Sequence, residues 1–452
     1  MVYAYILPTY PVAFIIQRIT LLLGFFVALR VSMRVISING DIFAILIFLA
    51  SLVEALVGIM QIIQGYSRNN IYPITGTFLN PGPFGAFVSC GFVMLFALKK
   101  KYEFILKSID YYSIIRFVVC LLEGVMAVAL FLSASRSSIL ALAICLWCMF
   151  YYRVRKYSFF GGFFFVILLI ALYFLKKESA DGRIVIWAVS LYNIVCSPLC
   201  GYGVGSFLHQ YAEGMEKLYY MLNSQIIDTN VVHFAFNGLF HVVVEQGIIG
   251  LLFFLMILLY VSVNFKRSEL ATKWILPLLL MTSMSSYTLE LLPFQIFMVI
   301  ALTSIVPECN SCCYVVKRSK VMSFFLVSLL LICICTVTVI EKHLTAKMEY
   351  NRIKGKQAPE YVIDYYPLLS HMDDNPEFLF DFAKALYNSN RFNDSNAILH
   401  KGSMISADPL FYILKGRNYE GMGDLMKAER FYIKGFTVMP NRIYPLYRLL
   451  FL

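Results

Sequence analysis

Residues 231–267 read VVHFAFNGLFHVVVEQGIIGLLFFLMILLYVSVNFKR. The second half is an almost unbroken apolar run that ends on Lys266 and Arg267. As a helix, residues 245–264 rise about 30 Å, enough to cross the hydrocarbon of a bilayer. The first half is also apolar, yet His233, Asn237, His241 and Glu245 recur in it every four residues. Four-residue steps drift by about 40° on a helix, so these groups should form one slanting stripe. The reading is a membrane helix whose upper turns, 233–244, project beyond the core and wall a water-accessible vestibule. The bland alternative is that the polar groups hydrogen-bond neighbouring helices.

The rest of the chain supports a membrane setting. Of 452 residues, 60% are hydrophobic and 14% charged, and the mean hydropathy of +0.73 lies well beyond that of soluble domains. Apolar runs fall at 12–31, 41–64, 83–98, 112–132, 137–152, 158–175, 239–264, 272–290, 292–307 and 321–341. The expected fold is all-α, a polytopic transmembrane bundle of about ten helices. No cleavable leader is expected, because no polar mature domain follows the first run.

Basic residues set the orientation. Lys99, Lys100, Lys101 and Lys107 fill one loop, and Arg153, Arg155 and Lys156 the next alternate one; Lys266 and Arg267, then Lys317, Arg318 and Lys320, follow. All four clusters fall on one side, which should be cytoplasmic. The net charge of +11 is then mostly topology rather than a nucleic-acid footprint. Loops 66–82, 133–136 and 176–238, with everything after about residue 342, fall on the opposite, periplasmic side. Three parts follow: a membrane domain over 1–341, the long loop 176–238 within it, and a more polar tail over 342–452.

That tail repeats itself with an offset of 33. Pro376 matches Pro409, Leu386 matches Tyr419, Asn390 matches Gly423, Phe392 matches Leu425, Ile398 matches Phe431 and Leu399 matches Tyr432. The second unit, LKGRNYEGMGDLMKAERFYIKGF (414–436), reads as two amphipathic helices joined at a glycine and resembles the tetratricopeptide repeat. The first unit lacks the small residue expected where Ser395 sits, opposite Ala428 of the second, and a third unit begins near Asn441. Short arrays of this kind need capping, which the membrane domain or a partner protein could supply.

Four stretches could carry chemistry. RNNIYPITGTFLNPGPFGAF (68–87) makes a turn-rich loop in which Asn80 can donate and accept hydrogen bonds; the plain alternative is a tight turn before a helix. LSASRSSILAL (132–142) sets Arg136 among serines at a helix junction. It could snorkel to headgroups or, with those hydroxyls, bind an anion. DGRIVIWAVSLYNIVCSPLCGYGVGSF (181–207) presents Arg183 and Trp187 on one helical face, ends its helix near Pro198 and continues through a glycine-rich connection. Arg183 could equally be a plain interfacial cation. The fourth is the stripe. The cysteines are mostly scattered in apolar runs; ECNSCC (308–313) clusters Cys309, Cys312 and Cys313 without the second ligand pair a metal site needs. No metal and no cofactor is expected.

In this order the stretches resemble the O-antigen ligase and O-antigen polymerase superfamily over residues 50–260. The resemblance rests on GTFLNPGPFGAF, SRSSILAL, Arg183 with Trp187, PLCGYGVGSF, and Asn237 with EQGIIG (245–250). It implies a metal-independent glycosyltransferase at the outer face of the bacterial inner membrane. The glycan would pass from undecaprenyl diphosphate to an acceptor hydroxyl on lipid A-core sugar, a growing glycan or a protein. It implies that Arg136 and Arg183 bind the diphosphate, that Asn80, Trp187 and Asn237 shape the site, and that a histidine is the base. In many ligases that histidine immediately precedes the asparagine; here the position is Phe236, and His233 and His241 lie one turn to either side, with Glu245 placed to orient one of them. The ligase reading leads. A polymerase or a protein-glycosylating enzyme uses the same chemistry. A lipid-glycan transporter would lean on Glu54 and Glu123 within the spans, and an assembly scaffold on the tail repeats.

Overall fold

The computed structural model describes residues 12–35, 40–65, 67, 72–108, 110–154, 162, 177–221, 232–268, 270–305, 341–356 and 358–452. Among them the regular structure is entirely helical. The runs at 158–175 and 321–341 and the cysteines 309, 312 and 313 lie outside the described residues, apart from Gly162 and Glu341. Among the described residues before 306 there are ten α-helices: α1 (Val12–Val35), α2 (Asp41–Gln64), α3 (Pro81–Lys107), α4 (Tyr112–Leu132), α5 (Arg136–Val154), α6 (Lys177–Cys196), α7 (Phe207–Met221), α8 (Gly238–Phe265), α9 (Ile275–Ser283) and α10 (Leu292–Ile305). Helices α2, α3, α4 and α8 are long and apolar enough to cross a membrane. This is a membrane helix bundle.

The core explains the arrangement. Helix α3 is the hub: Phe84, Ala86, Val88, Val93 and Met94 are fully buried and share one apolar core with α2, α4, α5, α9 and α10. Helices α4 and α8 instead leave most of their apolar surface uncovered, as expected of helices whose neighbour is lipid.

Charged groups sort to the two ends. At one end Lys101 and Tyr102 both bond to the buried carboxylate of Asp41, which also accepts from the Ala271 amide at 3.3 Å. Nearby, Lys99 donates to Glu123 at 3.0 Å. At the other end lie Arg136, the 75–82 turn and the start of α8. Glu123 is thus engaged with a lysine. Glu54 accepts from the Thr77 amide at 2.6 Å and its hydroxyl at 3.0 Å, while Gln61 accepts from the Thr75 and Gly76 amides at 3.0 and 2.8 Å. Seven residues apart on α2, these two side chains pin the loop before Asn80. The two acids on which the transporter reading leaned therefore have structural employment.

Two expectations about helices are corrected. The run at 272–290 is not one span. A 3-10 turn at Ala271–Trp274 leads into α9, which stops at Ser283, and a second 3-10 turn covers Thr288–Glu290. Nor is α8 continuous. Gly247 has φ 64° and ψ −164°, which interrupts the helix. The backbone groups freed by that break are bonded by the connection after α6: Tyr202 and Gly203 donate to the carbonyls of Val244 and Glu245 at 3.0 and 2.8 Å, and Ile248 and Ile249 donate to those of Pro198 and Leu199 at 2.8 and 3.2 Å. A Cβ on Gly247 would overlap the Leu199 carbonyl, and one on Gly201 the backbone of Glu245. The glycines of PLCGYGVGSF and EQGIIG exist because two backbones meet there. Irregular backbone at membrane depth is tolerated where protein satisfies it in this way.

The tail is a duplicated helical hairpin. Residues 341–353 are helical, and α11 (Pro376–Asn388), α12 (Phe392–Ile405), α13 (Leu410–Gly421), α14 (Leu425–Val438) and α15 (Tyr444–Leu449) follow. The offset of 33 reappears in the bonding. Arg391 donates to Leu386 O and Asp424 to Tyr419 O, at 3.0 and 2.9 Å; Asn390 donates to Tyr387 O and Gly423 to Glu420 O, at 2.9 and 3.0 Å. Asn390 and Gly423 are both left-handed, with φ 59° and 78°, a conformation these two residue types adopt readily. Ser395 and Ala428 are both fully buried, and Ser395 Oγ donates to Ala383 O at 2.7 Å. The serine does serve as the small packing residue. Phe378, Phe382 and Tyr365 form the buried centre of the first hairpin, each contributing about 2 kcal/mol.

Candidate functional site

The site gathers where α5, α6 and α8 begin and where α9 gives way to α10. Asn80 caps α3 by accepting from the Gly82 amide at 2.9 Å, with Pro81 at the first helical position. Arg136 opens α5 and is half-buried. Its serines do other work than anion binding: Ser135 and Ser138 bond each other at 2.8 Å, Ser138 donates to Gly82 O at 3.2 Å, and Ser133 donates to Leu130 O at 2.6 Å. These hydroxyls tie the start of α5 to α3, so the expectation of serine donors around Arg136 is revised for Ser133, Ser135 and Ser138. Ala134, two residues earlier, has φ 48°, a strained value for a residue with a Cβ.

Arg183 and Trp187 share a face of α6. The Arg183 guanidinium lies over the Phe236 ring, 5.4 Å from its centre. Burial pushes its pKa down to about 10, and the nearby charge of Arg136 pushes the same way. Two guanidinium groups from different helices are thus close enough to repel each other. Among the described residues no carboxylate forms an ion pair with Arg183. Phe236 itself has φ 50° and packs edge-on against Tyr287 at 5.5 Å, while Phe234 stacks flat on Tyr287 at 3.9 Å. Two of the three non-glycine residues with positive φ among those described, Ala134 and Phe236, therefore adjoin the arginine pair. Trp187 packs edge-on against Phe240 at 6.1 Å, and its Nε1 is buried with no hydrogen-bond partner among the described residues.

The stripe is resolved differently from its reading as one helix face. His233 is exposed and not helical. Asn237 is the cap of α8, accepting from the Leu239 and Phe240 amides at 3.0 and 3.2 Å. His241 and Glu245 alone share a helical face. The His241 Nε2 lies 3.3 Å from Glu245 Oε1 and 3.6 Å from Glu290 Oε1, and its ring stacks on Phe207 at 5.2 Å. The same Glu245 oxygen accepts from the Phe207 amide at 3.3 Å. Nδ1 of His241 is buried with no hydrogen-bond partner among the described residues. An open cleft of about 200 Å³ is lined by Phe236, Asn237, His241, Ser286, Tyr287 and Glu290, among others.

Residues 121–255 match the family model of the O-antigen ligase. Over this stretch, less than a third of the chain, the protein is similar to the O-antigen ligase family. The matched stretch holds Arg136, Arg183, Trp187, His233, Asn237, His241 and Glu245, and stops short of Glu290 and the tail. No curated protein and no solved structure matches the chain.

Sequence reasoning missed Glu290, Tyr287 and Phe207. A lone carboxylate between two apolar runs was a signal for Glu290. Phe207 and Tyr287 had none, because aromatic residues are common throughout the chain. Among the described residues no group of three or more His, Cys, Asp or Glu side chains could hold a metal.

Proposed function

We propose that this membrane protein transfers a glycan from undecaprenyl diphosphate to an acceptor hydroxyl, on lipid A-core sugar or a similar group, at the periplasmic face of the bacterial inner membrane, without a metal. The observation that carries the reading is the meeting of Arg136 with a desolvated Arg183 at the bundle end that also holds His241, Glu245 and Glu290. As the acceptor oxygen bonds to the anomeric carbon, the bond to the diphosphate breaks and the diphosphate leaves with the electron pair. Fixed cations at that position stabilise the departing charge. The cleft edge supplies the base. Nε2 of His241 faces two carboxylates, which hold the ring protonated; Glu290, which lines the cleft, takes the acceptor's proton, and His241 steadies the carboxylates beside it. His241 is assigned this role over His233, which stands exposed outside the helix. Asn80 and Asn237 shape the site as helix caps, and Trp187 as a packed wall beside Phe240.

The test is transfer by the purified chain in lipid, supplied with a lipid-diphosphate glycan and candidate acceptors. Arg183→Ala and Arg136→Ala should each lower turnover by about 10²–10³-fold while helix content persists. His241→Ala should abolish turnover and His233→Ala leave it near wild type. Normal transfer by both arginine variants would overturn the diphosphate assignment.

A further inference from the structure

Helix α7 touches the site with its first residue and the tail with several of the others. Phe207 donates its amide to Glu245 at 3.3 Å and stacks its ring on His241 at 5.2 Å. Two residues on, the His209 ring nitrogen Nδ1 lies 3.1 Å from the Ser403 carbonyl. One turn further, Glu213 pairs with Lys434, and Glu216 lies 3.6 Å from the same ammonium. At the far end Tyr219 packs edge-on against Phe436 at 5.8 Å. Between these contacts Tyr211, Ala212 and Met215 share a buried core with Ala407, Tyr412 and Val438 of the repeats. The opposite side of α7 rests on α6, where Asn193 donates to Gln210 O at 2.9 Å.

A 15-residue helix has little stability of its own, so its position is set by what it packs on. Here one wall is α6, which carries Arg183, and the other is the tail. We propose that the C-terminal repeats act through α7 as a clamp on the site. Phe207 is the positioning residue that holds the His241–Glu245 pair in register, and the Lys434 contacts are what keep the tail seated. The proposal rests on the role given to His241 above. It assigns the repeats work inside the protein: they complete the wall against which the imidazole is held, and whatever binds the repeats acts on turnover through α7.

The experiment uses the full chain in lipid and reads two quantities, amide exchange by segment and transfer kinetics. Lys434→Glu, set against Glu213 and Glu216, should loosen the tail. Exchange at residues 207–210 should rise with that at 403–438, and kcat should fall about tenfold while KM for the lipid-linked donor stays within about twofold. Lys434→Arg should behave as wild type. Phe207→Ala should lower kcat similarly with the tail still seated, and Phe207→Tyr should restore it. A Lys434→Glu, Val438→Asp double variant supplies a stronger opening. The clamp is overturned if the tail opens while residues 207–210 and kcat stay unchanged, or if neither variant loosens either segment. Absence of transfer by the unaltered chain, with coupled exchange still present, would remove the glycosyltransferase reading and leave the clamp standing.

Discussion

The two ends of the helix bundle treat charge in opposite ways. At the lysine end, Lys101 meets Asp41 and Lys99 meets Glu123, and the Asp41 carboxylate is shared among a lysine, a tyrosine and a backbone amide. At the arginine end, Arg183 lies on an aromatic ring with a second guanidinium beside it, and Ala134 and Phe236 hold strained backbone. Charges at the first end are neutralised by protein and serve the fold. At the second, burial and a neighbouring guanidinium both weigh against the charge on Arg183, a cost that the lipid diphosphate proposed above would relieve.

Four substitutions or conditions probe this contrast, beginning with the largest expected effect. Gly247→Ala should break the joint on which the arginine end rests, because the backbone there is left-handed and a Cβ overlaps Leu199. A loss of about 3 kcal/mol is expected, read as a drop in thermal stability in detergent together with loss of transfer. Asp41→Asn removes the buried negative charge at the lysine end and one of its two acceptor oxygens. It should cost about 2 kcal/mol of stability, because Lys101 is partly exposed and can be rehydrated, while transfer per folded molecule stays unchanged. Conservative exchanges at the two ends should then separate. Arg183→Lys should lower turnover about tenfold, since an ammonium lacks the planar fork for phosphate, whereas Lys101→Arg should leave turnover unaltered.

The smallest effect concerns the tail. Lys415 is buried, with Nζ donating to Ser403 Oγ at 3.0 Å. Burial, helped by the charge of Lys434, pushes its pKa down from 10.5 to about 8. The unfolded tail therefore binds a proton that the folded tail releases between those values, so the stability of the tail should rise as pH rises from 8. Protection of residues 403–438 should gain about 1 kcal/mol between pH 8 and 9, and Lys415→Met should flatten that rise.

The sequence made the bundle readable because apolar length is a local signal, although Lys99, Lys100, Lys101 and Lys107, expected in a loop, lie within α3. Helices α2, α4 and α8 lie close to their apolar runs. The repeat was readable for the same reason, as the left-handed pair Asn390 and Gly423 demands residues that tolerate that conformation. Arg183 with Trp187 followed from helical spacing. What escaped was set by distant contacts. The interruption at Gly247 depends on carbonyls and amides at 198–203, which no window around 247 contains. The period of four through His233 and Asn237 pointed to a helix, yet an asparagine is among the best residues to start one, and α8 begins immediately after it. Glu290 joins His241 only because α9 ends early and the chain turns at 284–291.

The shared backbone bonding between 198–203 and 244–249 has a consequence for how the chain enters the bilayer. The later half of α8 cannot close its first amides within its own segment; they bond to the carbonyls of Pro198 and Leu199. Residues 198–203 are synthesised well before 248, so the earlier connection is already available when the later half of α8 is made. That half of the span should therefore settle against a piece of the polypeptide made before it.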